Sequence, residues 1–198
     1  MQKNKETPLP LTGPYEGLTG VYAIDPVHST IGFSVRHAMI SNVRGKFTSF
    51  EGILKLDGSD PVRSEAHVSV QTGSVDTGSP ERDAHVAGPD FFDSATFPLM
   101  SFRSTGIVDA GDDRFALTGS LRIKDVELPV QIDLEFGGAS QDAYGQQRVG
   151  FEGTATLQRS DWGMGWNTAL AAGGVLISDK VKLLLDISAV QVDQADAA

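Results

Sequence analysis

The sequence predicts an all-β fold: an extended antiparallel up-and-down β-barrel of about eight strands, with a short helical insertion near residues 79–93. Its 198 residues include 22 glycines and 9 prolines, which separate many short segments of alternating apolar and polar residues. The loops between these segments are short, so successive strands are expected to pair antiparallel. A barrel of about eight strands is either filled by side chains or holds one small ligand, and the sequence alone leaves both options open.

The chain is expected to form a single domain. Residues 19–192 carry the alternating segments and are enough to enclose a sizeable core or a small internal cavity. Residues 1–18 contain three prolines and few large apolar side chains, which predicts a flexible N-terminal tail. Residues 193–198 are predicted to be a frayed C-terminal tail.

The first part of the barrel is predicted from three alternating stretches. Residues 20–25 form a strand that ends at the following proline. In residues 30–37 the large apolar side chains and His37 share one parity, so they are expected to face the same apolar side. Residues 42–57 are predicted as one long strand that bends at its two internal glycines.

The second part contains the clearest hairpin of the chain. Residues 115–124 and 126–136 alternate regularly on either side of a tight turn at Lys124-Asp125. Further strands are predicted at residues 65–71, 100–106, 149–157 and 181–189. Small residues are mixed with aliphatic ones on the inward side, which either leaves a hollow or only accommodates the taper of a barrel.

Residues 79–98 are the one stretch without strand-like alternation, and they are predicted to begin with a helix. Ser79 is a suitable N-cap, because its hydroxyl can accept a free amide proton of the first turn, and the next residue, a proline, fits the first helical position. Gly88-Pro89 is expected to end the helix. Asp90 is expected to cap a second short turn.

This insertion also carries a candidate binding group. Arg82 and His85 are three residues apart, so they share one face of the predicted helix, and Phe91 and Phe92 follow closely. A cationic group beside exposed aromatic rings suits an amphiphile with an anionic or polar head. The alternative is a helical cover with a solvated polar face and two core phenylalanines, which residue types alone favour.

Composition excludes several classes of function. The chain has no cysteine, so disulfides, thiolate metal sites and cysteine nucleophiles are excluded. The formal charge of −10 and the scattered cations argue against nucleic acid and anionic membrane surfaces as partners. No apolar segment is long enough for integral membrane insertion. The N-terminus lacks a signal-like apolar region, so the chain as written is expected in the cytoplasm, or in the periplasm or outside the cell if an export signal has been removed.

Other polar residues invite a chemical interpretation. His37 either donates a hydrogen bond to a ligand head group or is a satisfied core histidine near the barrel rim. Asp25, His28 and Ser29 have the residue types of a catalytic triad, but they lie in one short connection without a nucleophile elbow, so a structural polar corner is expected. No paired ligand spacing is present among the four histidines, so no metal site is predicted. No catalytic motif is recognisable either, so no catalytic residue is predicted.

Several motifs, in order and at consistent spacing over residues 18–191, resemble the YceI-like polyisoprenoid-binding proteins. The opening segment, the central segment, the hairpin and the end of the chain each contribute residues to this resemblance: Tyr22-x-Ile24-Asp25-x-x-His28-Ser29-x-Ile31-x-Phe33-x-Val35-x-His37 with Gly45-x-Phe47-x-x-Phe50-x-Gly52; Arg82-Asp83-x-His85-Val86 with Asp90-Phe91-Phe92-Asp93 and Phe97-Pro98; Gly119-x-Leu121 with Leu128-Pro129-Val130; and Gly150-Phe151, Arg159-x-Asp161-Trp162-Gly163 and Ile177-x-Asp179-x-Val181. The chain departs from the usual pattern at Asp125 and its neighbours in the hairpin turn and at Val86, where leucine is common.

The resemblance implies a lipocalin-like barrel with a long apolar tunnel that binds a polyprenyl chain, such as a prenyl diphosphate or a quinone-like lipid, and no established catalytic chemistry. We therefore expect a hydrophobic small-molecule ligand, no further cofactor, and head-group contacts from His37, Arg82 and His85. The expected tunnel residues are Ile31, Phe33, Val35, Phe47, Phe91, Phe92, Leu121, Phe151 and Trp162.

Two alternatives of other classes stay open at this point. The protein could be a lipid-modifying enzyme that uses His37 or His85 as a general base. It could also be a packed β scaffold that acts through its surface, and exposed sheet edges could pair two copies into a homodimer.

Overall fold

The computed structural model describes residues 15–171 and 173–193. In this part of the chain eleven strands and one short α-helix follow one another, with single 3-10 turns at Pro61–Arg63, Thr72–Ser74 and Arg159–Trp162. The elements are β1 (Gly20–Ile24), β2 (Thr30–His37), β3 (Ser41–Phe47), β4 (Phe50–Leu56), β5 (Glu65–Gln71), β6 (Val75–Asp76), α1 (Pro80–Ala87), β7 (Leu99–Gly111), β8 (Arg114–Ile123), β9 (Val126–Gln141), β10 (Gln147–Gln158) and β11 (Ile177–Val192).

Eight of the strands close into an antiparallel barrel, which confirms the predicted fold class. The order around the barrel is β1, β4, β5, β7, β8, β9, β10 and β11, and β11 pairs with β1 to close it. The three remaining strands extend from β11 in the order β2, β3, β6. The short helix α1 lies against β6.

The long strand β11 organises one side of the barrel. Its C-terminal part, Ala189–Val192, pairs with β1, and its N-terminal part, from Ile177 to Asp186, pairs with β2. Strands β1 and β2 are therefore two halves of one line along β11, interrupted at Pro26, which has no backbone N–H to donate. Strands β1 and β4 therefore complete the barrel wall along the C-terminal part of β11, whereas β2, β3 and β6 extend the sheet from its N-terminal part.

The prediction of one long strand over residues 42–57 is wrong, because the strand ends at Phe47 and a new one begins at Phe50. The two residues between them hydrogen-bond to Ser74 instead of to a neighbouring strand: Thr48 N donates to the Ser74 carbonyl at 3.0 Å, and Ser49 N donates to Ser74 Oγ at 3.1 Å. The first half, β3, then pairs with β2 and β6, whereas the second half, β4, pairs with β1 and β5. The chain therefore changes direction here because its two halves pair with different strands, and not because one strand bends at its glycines.

The β8–β9 hairpin has the predicted turn. Ile123 pairs directly with Val126, so only Lys124 and Asp125 lie between the strands. Lys124, at φ +56°, adopts the left-handed conformation that such a tight turn requires.

The predicted N-terminal tail needs a correction at its inner end. The side chain of Leu18 is buried, and the Tyr15 ring packs edge-on against Phe115 and Phe136 at centroid distances of 5.8 and 5.4 Å. The Tyr15 hydroxyl donates to Asp113 Oδ1 at 2.7 Å. Residues 15–18 therefore belong to the barrel, because they bury apolar surface on it. Residues 1–14 and 194–198 of the predicted tails lie outside the described residues.

Glycines in the wall let aromatic rings lie flat along the strands. A Cβ on Gly119 would come within 2.3 Å of the Phe102 ring, and a Cβ on Gly45 would come within 2.4 Å of the Phe33 ring. Each ring thus occupies the space above a glycine on the neighbouring strand instead of pointing to the barrel axis. This arrangement thins the layer of side chains inside the barrel and leaves its interior open.

Candidate ligand-binding cavity

The barrel encloses an apolar cavity of about 440 Å³. One end is bordered by Tyr15 and Leu18, and the other by His37, Arg82 and Leu176. The wall between them consists almost entirely of aliphatic and aromatic side chains from the inward positions of the strands. The volume lies within the range of small-molecule sites, which are about 300–1,000 Å³. The hollow interior that the sequence left undecided is therefore present.

The residues predicted to line a tunnel all lie on this cavity. They come from four strands, from the segment after α1 and from the turn after β10: Ile31, Phe33, Val35, Phe47, Phe91, Phe92, Leu121, Phe151 and Trp162. The two halves of the aromatic pair meet different neighbours, since Phe92 packs edge-on against Phe47, whereas Phe91 packs against His85.

The three predicted head-group residues border the cavity as well, and two of them are fixed by α1. Arg82 donates from Nε to Thr77 Oγ1 at 2.7 Å and from Nη2 to the Thr77 carbonyl at 2.8 Å. Thr77 in turn donates its hydroxyl to Asp83 Oδ1 at 2.5 Å. This network orients the guanidinium toward the cavity, while its remaining N–H groups stay available, because Arg carries five donors.

His85 is held by a carboxylate and by aromatic rings. Its Nε2 lies 2.9 Å from Asp90 Oδ2, and its ring packs edge-on against Trp166, with 4.6 Å between the centroids. The predicted role of Asp90 as a cap is wrong, because its carboxylate is engaged by His85. Ser79 precedes α1 as predicted, but its hydroxyl makes no capping hydrogen bond to the described residues.

Arg159 also borders the cavity and was missed as a site residue by the sequence analysis. Its side chain is buried, with 6% exposed, and its guanidinium donates to the backbone carbonyls of Met164, Ser178 and Ile177. Burial lowers the pKa of this guanidinium. The signal was present, because Arg159 continues the inward parity of β10 one step beyond Leu157.

The predicted polar corner lies away from the cavity. Asp25 Oδ2 accepts from Arg148 Nη1 at 2.7 Å and lies 2.7 Å from His28 Nδ1. Ser29 Oγ donates to the Ser188 carbonyl at 3.0 Å and accepts from Ser188 N at 2.9 Å. Since Ser29 is engaged by β11 and not by His28, this arrangement has no activated nucleophile, and its contacts join the β1–β2 connection to β11.

Electrostatics at this corner favour the ionised carboxylate. The hydrogen bond from Arg148 is the main reason why the pKa of Asp25 is lowered to about 2, with a further contribution from His28. Arg148 Nε also donates to Asp142 Oδ2 at 3.0 Å, so one guanidinium joins the connection before β2 to the loop before β10.

Within residues 15–171 and 173–193 no group of three or more His, Asp and Glu side chains could hold a metal ion. Over the same residues no helix is long and apolar enough to cross a membrane.

Comparison with known families matches residues 22–189 to the YceI-like domain. The chain belongs to the YceI-like family. Among its YceI-like relatives, a UPF0312 protein of Vibrio cholerae serotype O1 is 35% identical over 153 residues, which are 76% of this chain and 81% of the relative. A UPF0312 protein of Azotobacter vinelandii is 35% identical over 156 residues, covering 78% of this chain and 81% of the relative.

Solved structures of other proteins share the YceI-like fold. BcnA of Burkholderia cenocepacia superimposes with a TM-score of 0.73 at 24% identity, covering 83% of this chain and 98% of BcnA. The YceI protein of Campylobacter jejuni gives 0.70 at 25% identity, covering 80% and 90% of the two chains. A domain of Saccharophagus degradans described as polyisoprenoid-binding gives 0.66 at 16% identity, covering 86% and 98%.

Proposed function

We propose that this YceI-like protein binds a long-chain amphiphilic lipid of the polyisoprenoid class, such as a prenyl diphosphate or a quinone-like lipid, and carries or sequesters it without turnover. The observation that carries the proposal is the apolar cavity of about 440 Å³ inside the barrel, bordered at one end by His37, Arg82 and His85. An apolar tube with cationic and imidazole groups at one end complements a lipid tail with a polar head.

The driving force for binding comes from the tail. Each methylene group that leaves water contributes about 0.8 kcal/mol, so a long chain in a preformed cavity offsets the cost of association. Apolar walls discriminate poorly between tails, because a single methylene changes affinity only modestly. Selectivity therefore falls to the polar end, where Arg82 and the histidines contact the head group.

The choice of a polyprenyl tail over other chains is supported by similarity. The chain carries the family motifs along most of its length, and the Saccharophagus degradans domain of the same fold is described as polyisoprenoid-binding. The aromatic rings that line the cavity from several sides also support this choice, since they offer apolar surface to the branched and rigid units of such a tail.

The first experiment identifies what the protein carries. Protein purified from several hosts is extracted with organic solvent, and the extract is analysed by mass spectrometry. A polyprenyl or other long-chain amphiphile in the extract is the expected result. Extracts that are reproducibly empty, together with no uptake of a prenyl probe, would overturn the proposal, and chemical conversion of the probe would point to an enzyme.

The second experiment distinguishes recognition of the lipid tail from recognition of its head group. The two tryptophans of the chain, Trp162 and Trp166, both border the cavity, so intrinsic fluorescence reports its occupancy. Titration with geranylgeranyl diphosphate and with geranylgeraniol compares a charged and a neutral head on the same tail. We expect Arg82→Met to weaken only diphosphate binding, by about tenfold, which corresponds to one charge-assisted hydrogen bond.

The matched control for that titration is Arg103→Met. Arg103 is an exposed cation on β7 that does not border the cavity, so its loss changes the net charge by the same amount. Equal weakening of both ligands by Arg82→Met, or an equal effect of Arg103→Met, would contradict the assignment of Arg82 to the head group.

A further inference from the structure

The loop between β2 and β3 presents large apolar side chains to solvent. Met39 is 58% exposed and Ile40 is 81% exposed, and Val175 lies in the adjoining segment with 41% exposed. The two segments are joined by a hydrogen bond from Ala38 N to the Leu176 carbonyl at 2.7 Å. We call Met39, Ile40 and Val175 the apolar tip.

Turn chemistry does not explain these residues. Ala38 and Met39 have φ values of +48° and +63°, in the left-handed region where a residue with a Cβ costs about 1–2 kcal/mol. Glycine or asparagine would suit such a turn better and would be more soluble. The loop instead places a methionine and an isoleucine in water at a conformational cost, which indicates that their side chains have a partner.

Exposed cations lie on the outer face of β2, β3 and β11, the strands that border the apolar tip. Ser34 pairs with Lys182 on one side and with Arg44 on the other, so these two cations lie in one row across β11, β2 and β3. The exposed cations on the outward positions of these three strands are Arg36, Arg44, Lys46, Lys180 and Lys182. We call these five residues the basic face.

The basic face is not neutralised by neighbouring carboxylates. None of its five cations is within 4.0 Å of a carboxylate in the described part of the chain, whereas Lys55, Arg63, Arg114 and Arg148 each form an ion pair elsewhere. Three carboxylates lie close by, and the five cations outnumber them: Asp76 is opposite Lys46, Asp179 precedes Lys180 and is bound by Ser160, and Asp186 follows further along β11. In a chain of net charge −10, this end is locally positive.

We propose that the apolar tip and the basic face dock this protein on an anionic lipid bilayer. The cations contact lipid phosphates, while Met39, Ile40 and Val175 enter the interface, where their apolar surface leaves water. His37 directly precedes the loop and borders the cavity, as does Leu176. A bilayer held at the tip is therefore adjacent to the polar end of the cavity and is the source or the destination of its lipid.

Charge decides between a bilayer and a second copy of the chain. Symmetric pairing through the tip would bring two basic faces together, and like charges so placed repel. A surface of lipid phosphates neutralises the same cations. The net charge predicts weak affinity for anionic membranes, but net charge does not reveal how the fold distributes cations and carboxylates.

The experiment is vesicle flotation of the full chain. Vesicles of phosphatidylcholine alone are compared with vesicles that also contain phosphatidylglycerol, at about 50 mM and about 500 mM salt. We expect binding to the anionic vesicles at low salt, with loss at high salt. Ile40→Asp, Arg44→Glu and Lys182→Glu should each weaken binding by about fivefold or more, since a cation near the membrane contributes about that factor.

Matched controls are Tyr144→Ser and Arg103→Glu. Tyr144 is 91% exposed in the loop between β9 and β10, at the opposite end of the barrel, and Arg103 is exposed on β7. These controls should bind like the unaltered protein. Equal weakening by the controls, no flotation with anionic vesicles, or a dimer in light scattering that Ile40→Asp converts to monomer would each overturn the proposal.

The biological role of bilayer docking rests on the proposed lipid-binding function, but each proposal can be contradicted without the other. Flotation requires no ligand in the cavity, and uptake of geranylgeranyl diphosphate in the absence of vesicles requires no docking. A protein that floats but takes up no prenyl probe contradicts the proposed function alone. A protein that takes up the probe but does not float contradicts the docking alone.

Discussion

The guanidinium of Arg159 faces the ring of Phe91, with 5.8 Å between its central carbon and the ring centroid. The rest of this buried cation is enclosed by backbone carbonyls from the turn after β10 and from the start of β11. A single side chain thus joins the segment after α1, the wall of the cavity and the long strand that closes the barrel. Its neighbours satisfy a charge that burial alone would disfavour.

Replacement of Arg159 by methionine is expected to destabilise the fold. The substitution keeps an unbranched apolar chain of similar length but leaves three carbonyl oxygens without their donor, and each buried unpaired group costs about 1–3 kcal/mol. We expect the free energy of unfolding in urea to fall by about 2–4 kcal/mol. Arg103→Met, on the exposed side of β7, should change it by no more than about 0.5 kcal/mol. Equal stability of the two variants would show that the carbonyl network does not stabilise the fold.

The ion pair of Asp25 with Arg148 is expected to make the free energy of unfolding fall at acidic pH. The pKa of Asp25 is lowered from 3.8 in the unfolded chain to about 2 in the fold, chiefly by Arg148. A lowered pKa contributes stability that is present above the unfolded value and is lost as the pH falls toward about 2. We expect the unaltered protein to lose about 1–2 kcal/mol more than Asp25→Asn between about pH 6 and about pH 2.5, measured by urea unfolding. Parallel acid profiles of the two proteins would contradict this assignment.

The sequence predicts the parts of the fold that depend on local patterns. Alternation identified the β8–β9 hairpin and the inward faces of β2 and β10, because burial on one face of a strand imposes a period of two. It did not show the break between β3 and β4. That break depends on Ser74, which lies 25 residues from Ser49, and no pattern within one strand reports a partner so distant in the chain.

Only part of the candidate site could be predicted, for a similar reason. Parity and the family motifs together selected residues that border the cavity, including His37 and Phe151. They could not show that Asp90 binds His85 rather than capping a turn, since the two roles use the same carboxylate. The exposure of Ile40 and the row formed by Lys182 and Arg44 depend on strand register, which the sequence does not state.

The hydrogen bond from Tyr15 to Asp113 is expected to stabilise the fold less at alkaline pH. Burial and the hydrogen bond to Asp113 raise the pKa of Tyr15 from 10.0 to about 12. A raised pKa means that the contribution is complete below about pH 10 and is lost as the pH rises through about 12. Near neutral pH we expect Tyr15→Phe to cost about 1 kcal/mol of unfolding free energy, the value of one hydrogen bond. The difference between the two proteins should shrink between about pH 10 and about pH 12, and a constant difference would contradict it.

Ligand binding should respond differently to the same substitution on the two faces of strand β11. Leu183 borders the cavity, whereas Leu184 is the next residue on β11 and does not border it. Leu183→Trp fills part of the space that a long tail needs, so at least two methylene groups should remain in water, at about 0.8 kcal/mol each. We expect geranylgeraniol to bind about tenfold more weakly to Leu183→Trp and geraniol to bind nearly unchanged, with dissociation constants from isothermal titration calorimetry. Leu184→Trp is the control for the added ring and should bind both alcohols like the unaltered protein. If Leu183→Trp binds both alcohols normally, the tail does not occupy the interior of the barrel.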